Sequence, residues 1–135
     1  MAVRNFMSEG QTVTDPVPAA VQTFATGEII MIDASGYATP GSTATGQLPG
    51  GLCDTPLDAS ASSAGDLKVN VVSQGDWVEV DNSTGADAVL ATDYNAPVYT
   101  LDRNAVSRLS AGKSKLGIFK GFSANGRVRV QIRPN

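Results

Sequence analysis

The amino-acid sequence predicts an all-β protein, a small β-barrel or β-sandwich of about seven to nine short strands with an extended N-terminal arm. Fourteen Gly and seven Pro lie between short apolar runs, which is the spacing of strands and turns. No segment of about ten residues repeats its apolar positions with the period of a helix. Near the C-terminus, Asn125-Gly126 separates two alternating segments, which is the strongest short signal of a β-hairpin.

The first 26 residues are predicted to form the arm, and residues 27–135 the β head domain. Residues 1–26 lack the period of a helix, and Pro16 and Pro18 favour extended backbone and remove two hydrogen-bond donors. Such a segment needs a sheet edge or an external surface to hold it. The arm is therefore either a frayed terminus or a strand that binds a partner, for example by adding to the edge of the partner's sheet.

The head begins with a predicted strand at residues 28–32, which is apolar on both faces, as in a buried strand. A turn at 33–36 leads to a short return that begins at Tyr37. Residues 40–66 are small and polar, and only Leu52-Cys53 suggests a strand among them. A connection of about 25 residues is long for a compact domain, so we expect either further short strands or contact with a neighbouring subunit.

The rest of the head is predicted to consist of paired strands, with a polar connection at residues 81–97. The clearest pair is the last, because Asn125-Gly126 favours a type I′ turn, in which both central residues have positive φ. The predicted pairs are 67–72 with 77–80, 98–101 with 105–106, and 116–122 with 127–133.

The composition excludes several kinds of catalytic site. The chain has no His, so a Ser-His-Asp triad, a Cys-His pair and a Cys/His zinc site cannot be built. Its single cysteine, Cys53, excludes an intramolecular disulfide. We therefore predict a protein that is not an enzyme and has no cofactor and no metal, with carboxylate-only catalysis the one chemistry left open. Lacking a long apolar stretch, the chain is predicted to have no membrane partner, and to be made and used in a cytoplasm or packed into a particle assembled there.

Two motifs resemble functional sites but have simpler interpretations. Ala111-Gly112-Lys113-Ser114 resembles the end of a phosphate-binding loop, yet Ser107 stands where that loop needs Gly, and a strand follows instead of a helix. We interpret it as a basic turn. The carboxylates Asp76, Glu79 and Asp81 have no supporting motif, and we predict that they line a solvated strand edge.

The charges are divided between two parts of the chain. Residues 1–102 hold all 13 acidic residues and two of the ten basic residues, a net charge of −11. Residues 103–135 hold the other eight basic residues, a net charge of +8. If the C-terminal part forms one side of the domain, its field selects and steers partners.

One strand face and one tryptophan form a predicted subunit interface. The outward face of the last strand is predicted to carry three arginines, Arg127, Arg129 and Arg133. These arginines either contact an acidic protein surface, face solvent or bind nucleic acid. No aromatic residue interleaves with these arginines to stack a base, and the whole chain is acidic, so we favour a protein partner. Trp77 is either a core residue or an interface anchor, since aromatic residues are enriched at interfaces.

A series of short motifs runs along the chain: Asn5-Phe6, Glu9-Gly10, Gln11-Thr12-Val13-Thr14, Gly27-Glu28-Ile29-Ile30, Ala96-Pro97-Val98-Tyr99-Thr100-Leu101-Asp102, Leu116-Gly117-Ile118 and Arg127-Val128-Arg129-Val130-Gln131-Ile132. In their order, and in the length of the chain, these motifs resemble the phage capsid cement family, also called head decoration proteins. Residues 40–66 depart from the family's pattern, because they are longer and more polar than its usual connection.

The resemblance implies an all-β head, often trimeric, on the outer surface of an expanded icosahedral capsid, with an N-terminal arm that contacts the major capsid protein. The protein is thus expected in the virion, as a homotrimer on the capsid, without direct nucleic-acid binding. Two other classes stay open: another virion structural protein, such as a tail or connector protein, and a small carbohydrate- or ligand-binding β module, which needs exposed aromatic residues. The predicted capsid-binding arm residues are Val3, Arg4, Asn5, Phe6, Thr12 and Val13.

Overall fold

The structure, a computed structural model, describes residues 11–13, 16–74 and 77–132. Short strands account for most of the regular structure in these ranges, with single 3-10 turns at Gly85–Asp87 and Ala91–Asp93. The predicted all-β class is confirmed. The strands are β1 (Gln11–Val13), β2 (Val17–Pro18), β3 (Thr23–Phe24), β4 (Ile29–Ile32), β5 (Ala38–Pro40), β6 (Leu48–Cys53), β7 (Leu57–Asp58), β8 (Lys68–Val69), β9 (Val71–Gln74), β10 (Trp77–Asn82), β11 (Pro97–Thr100), β12 (Ala105–Ser107), β13 (Lys115–Phe122) and β14 (Val128–Gln131).

The last five strands close into a small barrel. They lie in the order β12, β11, β13, β14, β10, and a parallel pairing of β10 with β12 joins the two ends. At this closure Asp81 pairs with Ala105, and Asn82 pairs with Val106. Because closure leaves these strands with paired neighbours on both sides, the barrel is a rigid support for the loops at its ends.

A second unit extends the sheet from the barrel. β10 pairs with β9, and the sheet continues through β6 and β4 to β5. Two small sheets, β2 with β8 and β3 with β7, lie outside this sheet. Val17, Phe24, Leu57 and Val69 from these four short strands pack into the core of the second unit.

Strand β4 lies between two hydrophobic cores. Ile29 and Met31 are fully buried among the barrel residues, whereas Ile30 is fully buried on the opposite face. The predicted strand with two apolar faces is thereby confirmed. The barrel core consists of Ile29, Met31, Val78, Val80, Val89, Val98, Val106, Leu116, Phe119, Val128 and Val130, and the second core of Ala19, Phe24, Ile30, Ala38, Cys53, Ala59, Val69 and Val71.

Part of the predicted arm belongs to the head, so the structure differs here from the predicted division at residue 26. Ala19 and Phe24 are buried in the second core, and β2 and β3 pair with strands of the head. Burial of a Phe side chain contributes about 1.5–3 kcal/mol, which offsets the cost of ordering the segment. β1 also pairs with the head, along β9. Residues 1–10, 14 and 15 lie outside the described residues.

The long connection at residues 40–66 contains further short strands, one of the two outcomes expected from its length. β6 pairs with both β4 and β9, and β7 pairs with β3. The predicted Leu52-Cys53 strand is the end of β6, which begins at Leu48. The sequence pattern does not predict the first part of this strand, because it contains Pro49, Gly50 and Gly51, and Pro and Gly are depleted in strand interiors.

The C-terminal hairpin is confirmed, but its turn is not the predicted type I′. Gly126 has a φ of 80°, whereas Asn95 is the sole non-glycine residue with positive φ in the described part of the chain, so Asn125 does not have one. The Gly126 N–H donates to Ser123 O at 2.9 Å, and the Ser123 N–H donates to Arg127 O at 2.8 Å. This is a three-residue loop with a left-handed glycine, which forms a bulge.

Gly117 on β13 is predicted to be the position of the barrel that tolerates a side chain least. A Cβ atom there would collide with Gln131 O and would lie 2.7 Å from Val130 Cγ1, both on the neighbouring β14. Gly117→Ala should therefore lower the free energy of unfolding by about 1–3 kcal/mol, as overpacking does elsewhere. Urea denaturation measures this, with Lys115→Ala, exposed on the same strand, as the control. Equal stability of the two variants would contradict the close packing of β13 on β14.

Candidate protein-contact surfaces

The divided charge of the sequence is partly neutralised within one chain. Every ion pair found among the described residues joins a cation from the basic C-terminal part to a carboxylate that precedes it. These pairs link segments that are far apart in sequence. They therefore connect different loops of the fold and are not gathered on one outer surface. The pairs are Arg103 with Glu28 (3.1 Å), Arg108 with Asp93 (3.0 Å), Lys113 with Asp87 (3.7 Å) and Arg127 with Asp81 (3.3 Å).

The first candidate surface is the arginine face, which consists of Trp77, Glu79, Asp81, Arg127 and Arg129. Val78 and Val80 of β10 are buried in the barrel, so alternation turns Trp77, Glu79 and Asp81 outward. Glu79 lies directly opposite Arg129 in the β10–β14 register. The guanidinium of Arg129 lies 4.6 Å from the centre of the Trp77 ring, within the range of a cation–π interaction.

The arginine face therefore has partners within its own chain. Arg127 donates from Nε to Asp81 Oδ1 at 3.3 Å, and Arg129, which lies opposite Glu79 in the strand register, is stacked on Trp77. Trp77 is half-buried and supports this stack on the outer face. Arg127 therefore pairs with a carboxylate of its own chain, and the subunit-interface role of Trp77, Arg127 and Arg129 stays a prediction. Arg133 lies outside the described residues.

The acidic residues of β10 do not line a strand edge, which corrects the sequence interpretation. β10 is paired with β14 on one side and with β9 and β12 along the other. Glu79 lies opposite Arg129 in the register, and Asp81 pairs with Arg127 while 57% of its side chain stays exposed, so the solvated part of the interpretation holds for Asp81. Asp76 lies outside the described residues.

The second candidate surface is the aromatic end, which consists of Leu90, Tyr94, Lys120 and Phe122. The exposed fractions of Leu90, Tyr94 and Phe122 are 49%, 56% and 40%. Tyr94 and Phe122 both pack edge-to-face on the buried Phe119, with ring centres 6.5 and 5.0 Å away. The Nζ of Lys120 lies 5.6 Å from the centre of the Tyr94 ring.

A bulge in β13 forms this cluster. Phe119 pairs with Val130 and Phe122 with Val128, so three steps along β13 face two steps along β14. The extra residue turns Phe122 toward the same face as Phe119, which regular alternation would not do. Gly121, with a φ of 99°, lies within the bulge.

The loop that carries Leu90 and Tyr94 is fastened to the barrel by several hydrogen bonds. Arg108 donates two bonds of 3.0 Å to the Asp93 carboxylate, which also accepts the Leu90 N–H at 2.8 Å. These bonds, that from Arg108 above all, lower the pKa of Asp93 from its ordinary value. Asn95, in the left-handed region with a φ of 70°, donates its N–H to Phe119 O at 2.8 Å. The two apolar side chains therefore sit on a loop with a defined position.

The remaining sequence predictions have varied outcomes. Thr12 and Val13 lie on β1, opposite Ser73 and Val72 of β9, while Val3, Arg4, Asn5 and Phe6 lie outside the described residues. The 111–114 motif leads into β13, a strand, as expected for a basic turn. The sequence did not single out the aromatic end, because Tyr94 and Phe122 are 28 positions apart and meet only through Phe119.

The described residues contain no cluster of three or more His, Cys, Asp or Glu side chains placed to hold a metal ion. Nor does any helix within them have the length and apolar character to cross a membrane. In comparisons with known proteins, no protein-family model, curated protein or solved structure matches the chain. The resemblance to the cement family accordingly stays a prediction.

The register that places Glu79 directly opposite Arg129 leads to a charge-swap prediction. Arg129→Glu places two carboxylates opposite each other and removes the cation from Trp77, so it should cost about 1 kcal/mol of unfolding free energy. Adding Glu79→Arg to this variant should recover part of the loss, because it restores opposite charges across the strands. Urea denaturation of the wild type, both single variants and the double variant measures the coupling. Strictly additive losses would mean that the two side chains do not interact.

Proposed function

We propose that this protein is a capsid decoration (cement) protein, a non-enzymatic virion component that binds the outer surface of an expanded phage head. In this role it stabilises the head by bridging neighbouring major capsid protein subunits, and it acts as a homotrimer on the capsid. The resemblance of the sequence motifs supports the choice of a capsid as partner. The aromatic end is the structural observation that carries the proposal, because it supports binding to a protein surface.

The aromatic end has the chemistry of a protein-binding site. Tyr is among the residue types that dominate binding energy at protein interfaces, and apolar side chains gathered at one site mark contact surfaces. Leu90, Tyr94 and Phe122 are 40–56% exposed although each is anchored at its base. Because the bonds of Asp93 and Asn95 already hold the loop, binding needs little further ordering, and less free energy is lost on association.

A cement protein requires many modest contacts with capsid subunits and no catalytic site. Each bound copy that spans two capsid subunits adds contacts that internal pressure must break before the subunits separate. A barrel suits this task, since its closed sheet resists deformation and transmits the load between the surfaces that it presents. On this proposal the aromatic end is one contact with the capsid, and the arginine face contributes to encounter and register with a neighbouring copy or a capsid subunit.

The proposed arm contact is concentrated in the residues that precede β1. Thr12 and Val13 pair with β9 of the same chain, so their backbone groups on that side are already used. Of the predicted arm residues, Val3, Arg4, Asn5 and Phe6 are therefore the ones proposed to reach the major capsid protein.

A tail or connector protein is the alternative within the virion, and binding to isolated tails but not to heads would favour it. A carbohydrate-binding module is the alternative outside it, since such a module needs exposed aromatic rings. Tyr94 and Phe122 are both packed edge-to-face on the buried Phe119, at interplanar angles of 72° and 64°. Specific binding of an oligosaccharide that is lost in Tyr94→Ala would favour this alternative.

The combined variant Tyr94→Ala, Phe122→Ala should bind expanded capsids that lack this protein about 30-fold more weakly, the equivalent of about 2 kcal/mol of lost hot-spot contact. Co-sedimentation with expanded and unexpanded capsids measures the binding, and urea denaturation checks that the barrel is still folded. Leu48→Ala is the matched control, because Leu48 is 55% exposed on β6, away from the aromatic end. Equal binding of the control and the combined variant would remove the aromatic end from the capsid contact.

Two deletions separate the arm from the strand that pairs with β9. Removing residues 2–10 should abolish capsid binding while the unfolding free energy stays close to that of the full chain, because β1 is retained. Removing residues 2–15 should abolish binding and also lower stability, since β9 loses the pairing with β1. Full capsid binding by the shorter deletion would show that the arm is not a capsid contact.

A further inference from the structure

A small cleft opens where the end of β5 meets the turn between β11 and β12. Its volume is about 150 Å³, which is below the roughly 300–1,000 Å³ of sites for drug-sized ligands and cofactors. A group the size of a side chain fits this space, and a nucleotide or a sugar chain does not. The lining residues are Gln22, Thr39, Pro40, Gly41, Ser42 and Arg103.

The guanidinium of Arg103 is fixed on one side and free on the other. Its Nη1 donates to Thr23 O at 2.9 Å and to Glu28 Oε1 at 3.1 Å. No described residue accepts a hydrogen bond from its Nε or its Nη2. Nε–H and one N–H of Nη2 form the parallel pair of donors that matches the two oxygens of a carboxylate.

Three other polar side chains of the cleft also have donor groups from which no described residue accepts a hydrogen bond. The side chains of Gln22, Thr39 and Ser42 make no hydrogen bond to any other described residue, although each carries a group that can donate one. Together with Arg103 they surround the cleft with donors. Glu28, which is held by Nη1, supplies the compensating negative charge, so recognition here depends on hydrogen-bond geometry more than on net charge.

The walls of the cleft are held in position by strand β4. The Gly41 N–H donates to Ile29 O at 2.8 Å, and the Ile29 N–H donates to Arg103 O at 2.7 Å, so both sides of the cleft are tied to β4. Gly41 packs so closely that a Cβ atom there would lie 2.5 Å from Asp102 O. A binding group on such walls loses little conformational freedom when a ligand arrives.

We propose that this cleft binds a carboxylate group, with the Nε and Nη2 of Arg103 as a bidentate clamp and the hydroxyls of Thr39 and Ser42 as further donors. The carboxylate belongs to a small organic acid or to an Asp or Glu side chain on a partner protein; the chemistry of recognition is the same for both. The site is independent of the capsid proposal, because it makes no use of the arm, the arginine face or the aromatic end.

The test is an NMR titration of the ¹⁵N-labelled full chain with glutarate, with a blocked tripeptide that carries one Glu side chain, and with chloride at matched ionic strength. Saturable shifts confined to the amides of residues 22, 39, 41, 42 and 103 and to the Arg103 Nε–H are expected, with a dissociation constant in the millimolar range. Shifts with glutarate and peptide identify a site open to protein side chains, and shifts with glutarate alone identify a site for free acids. Shifts that match those of chloride would overturn the proposal.

Substitutions of the proposed donors test whether these side chains bind the carboxylate that causes the chemical-shift changes. The double variant Thr39→Val, Ser42→Ala should bind glutarate about tenfold more weakly, because hydrogen bonds to a charged group are lost. Arg103 keeps its bonds to Thr23 and Glu28 in this variant. Arg103→Lys keeps the charge but loses the paired donors, so it should abolish saturation. Lys68→Met, which removes an exposed cation on β8, is the control and should titrate like the wild type. Wild-type affinity in the double variant and in Arg103→Lys would show that the carboxylate binds elsewhere.

Discussion

The packing of β4 into two cores is the constraint on which the rest of the structure depends. Ile29 and Met31 fill the barrel on one side, and Ile30 fills the second core on the other. Protein interiors are close-packed, so a change in β4 is felt by both cores at once. The backbone bonds of Ile29 to Gly41 and Arg103 extend the same constraint to the turn between β11 and β12. The two units therefore cannot rearrange independently, although their cores share no side chain.

Charge has a more local role than the sequence indicates. The basic residues of the C-terminal part meet carboxylates from as early as Glu28 and as late as Asp93, in pairs that tie loops to the barrel. Exposed pairs of this kind each contribute only about 0–1 kcal/mol, so they position segments more than they stabilise the fold. The field of the molecule is consequently weaker and more mixed than a separation of −11 from +8 implies.

Three surfaces with different chemistry result from this arrangement. The arginine face carries charges of both signs and a tryptophan stacked under Arg129, the aromatic end is mostly apolar, and the Arg103 cleft has donors with no acceptor among the described residues. Each is mounted on strands or loops held by hydrogen bonds, which is the condition for recognising a partner without a large loss of conformational entropy. Surfaces of this kind suit the proposed role of binding other proteins.

The sequence by itself determined the all-β class, the strand at β4, the pair β11–β12 and the C-terminal hairpin, because these depend on local alternation and turn residues. The single strand predicted at 67–72 is instead divided into β8, which pairs with β2, and β9, which meets β10 at Gln74 and Trp77. It did not determine the burial of Ala19 and Phe24, which depends on a core that only distant strands complete. The turn at Asn125-Gly126 also differs from the predicted type, because only Gly126 of the two has positive φ and the loop closes between Ser123 and Arg127. The stack of Arg129 on Trp77, the meeting of Tyr94 and Phe122 at Phe119, and the donors around Arg103 join residues from separate strands and loops. Such contacts join residues that are far apart in the sequence and leave no repeating pattern along the chain. They form only when the sheet closes in its particular register.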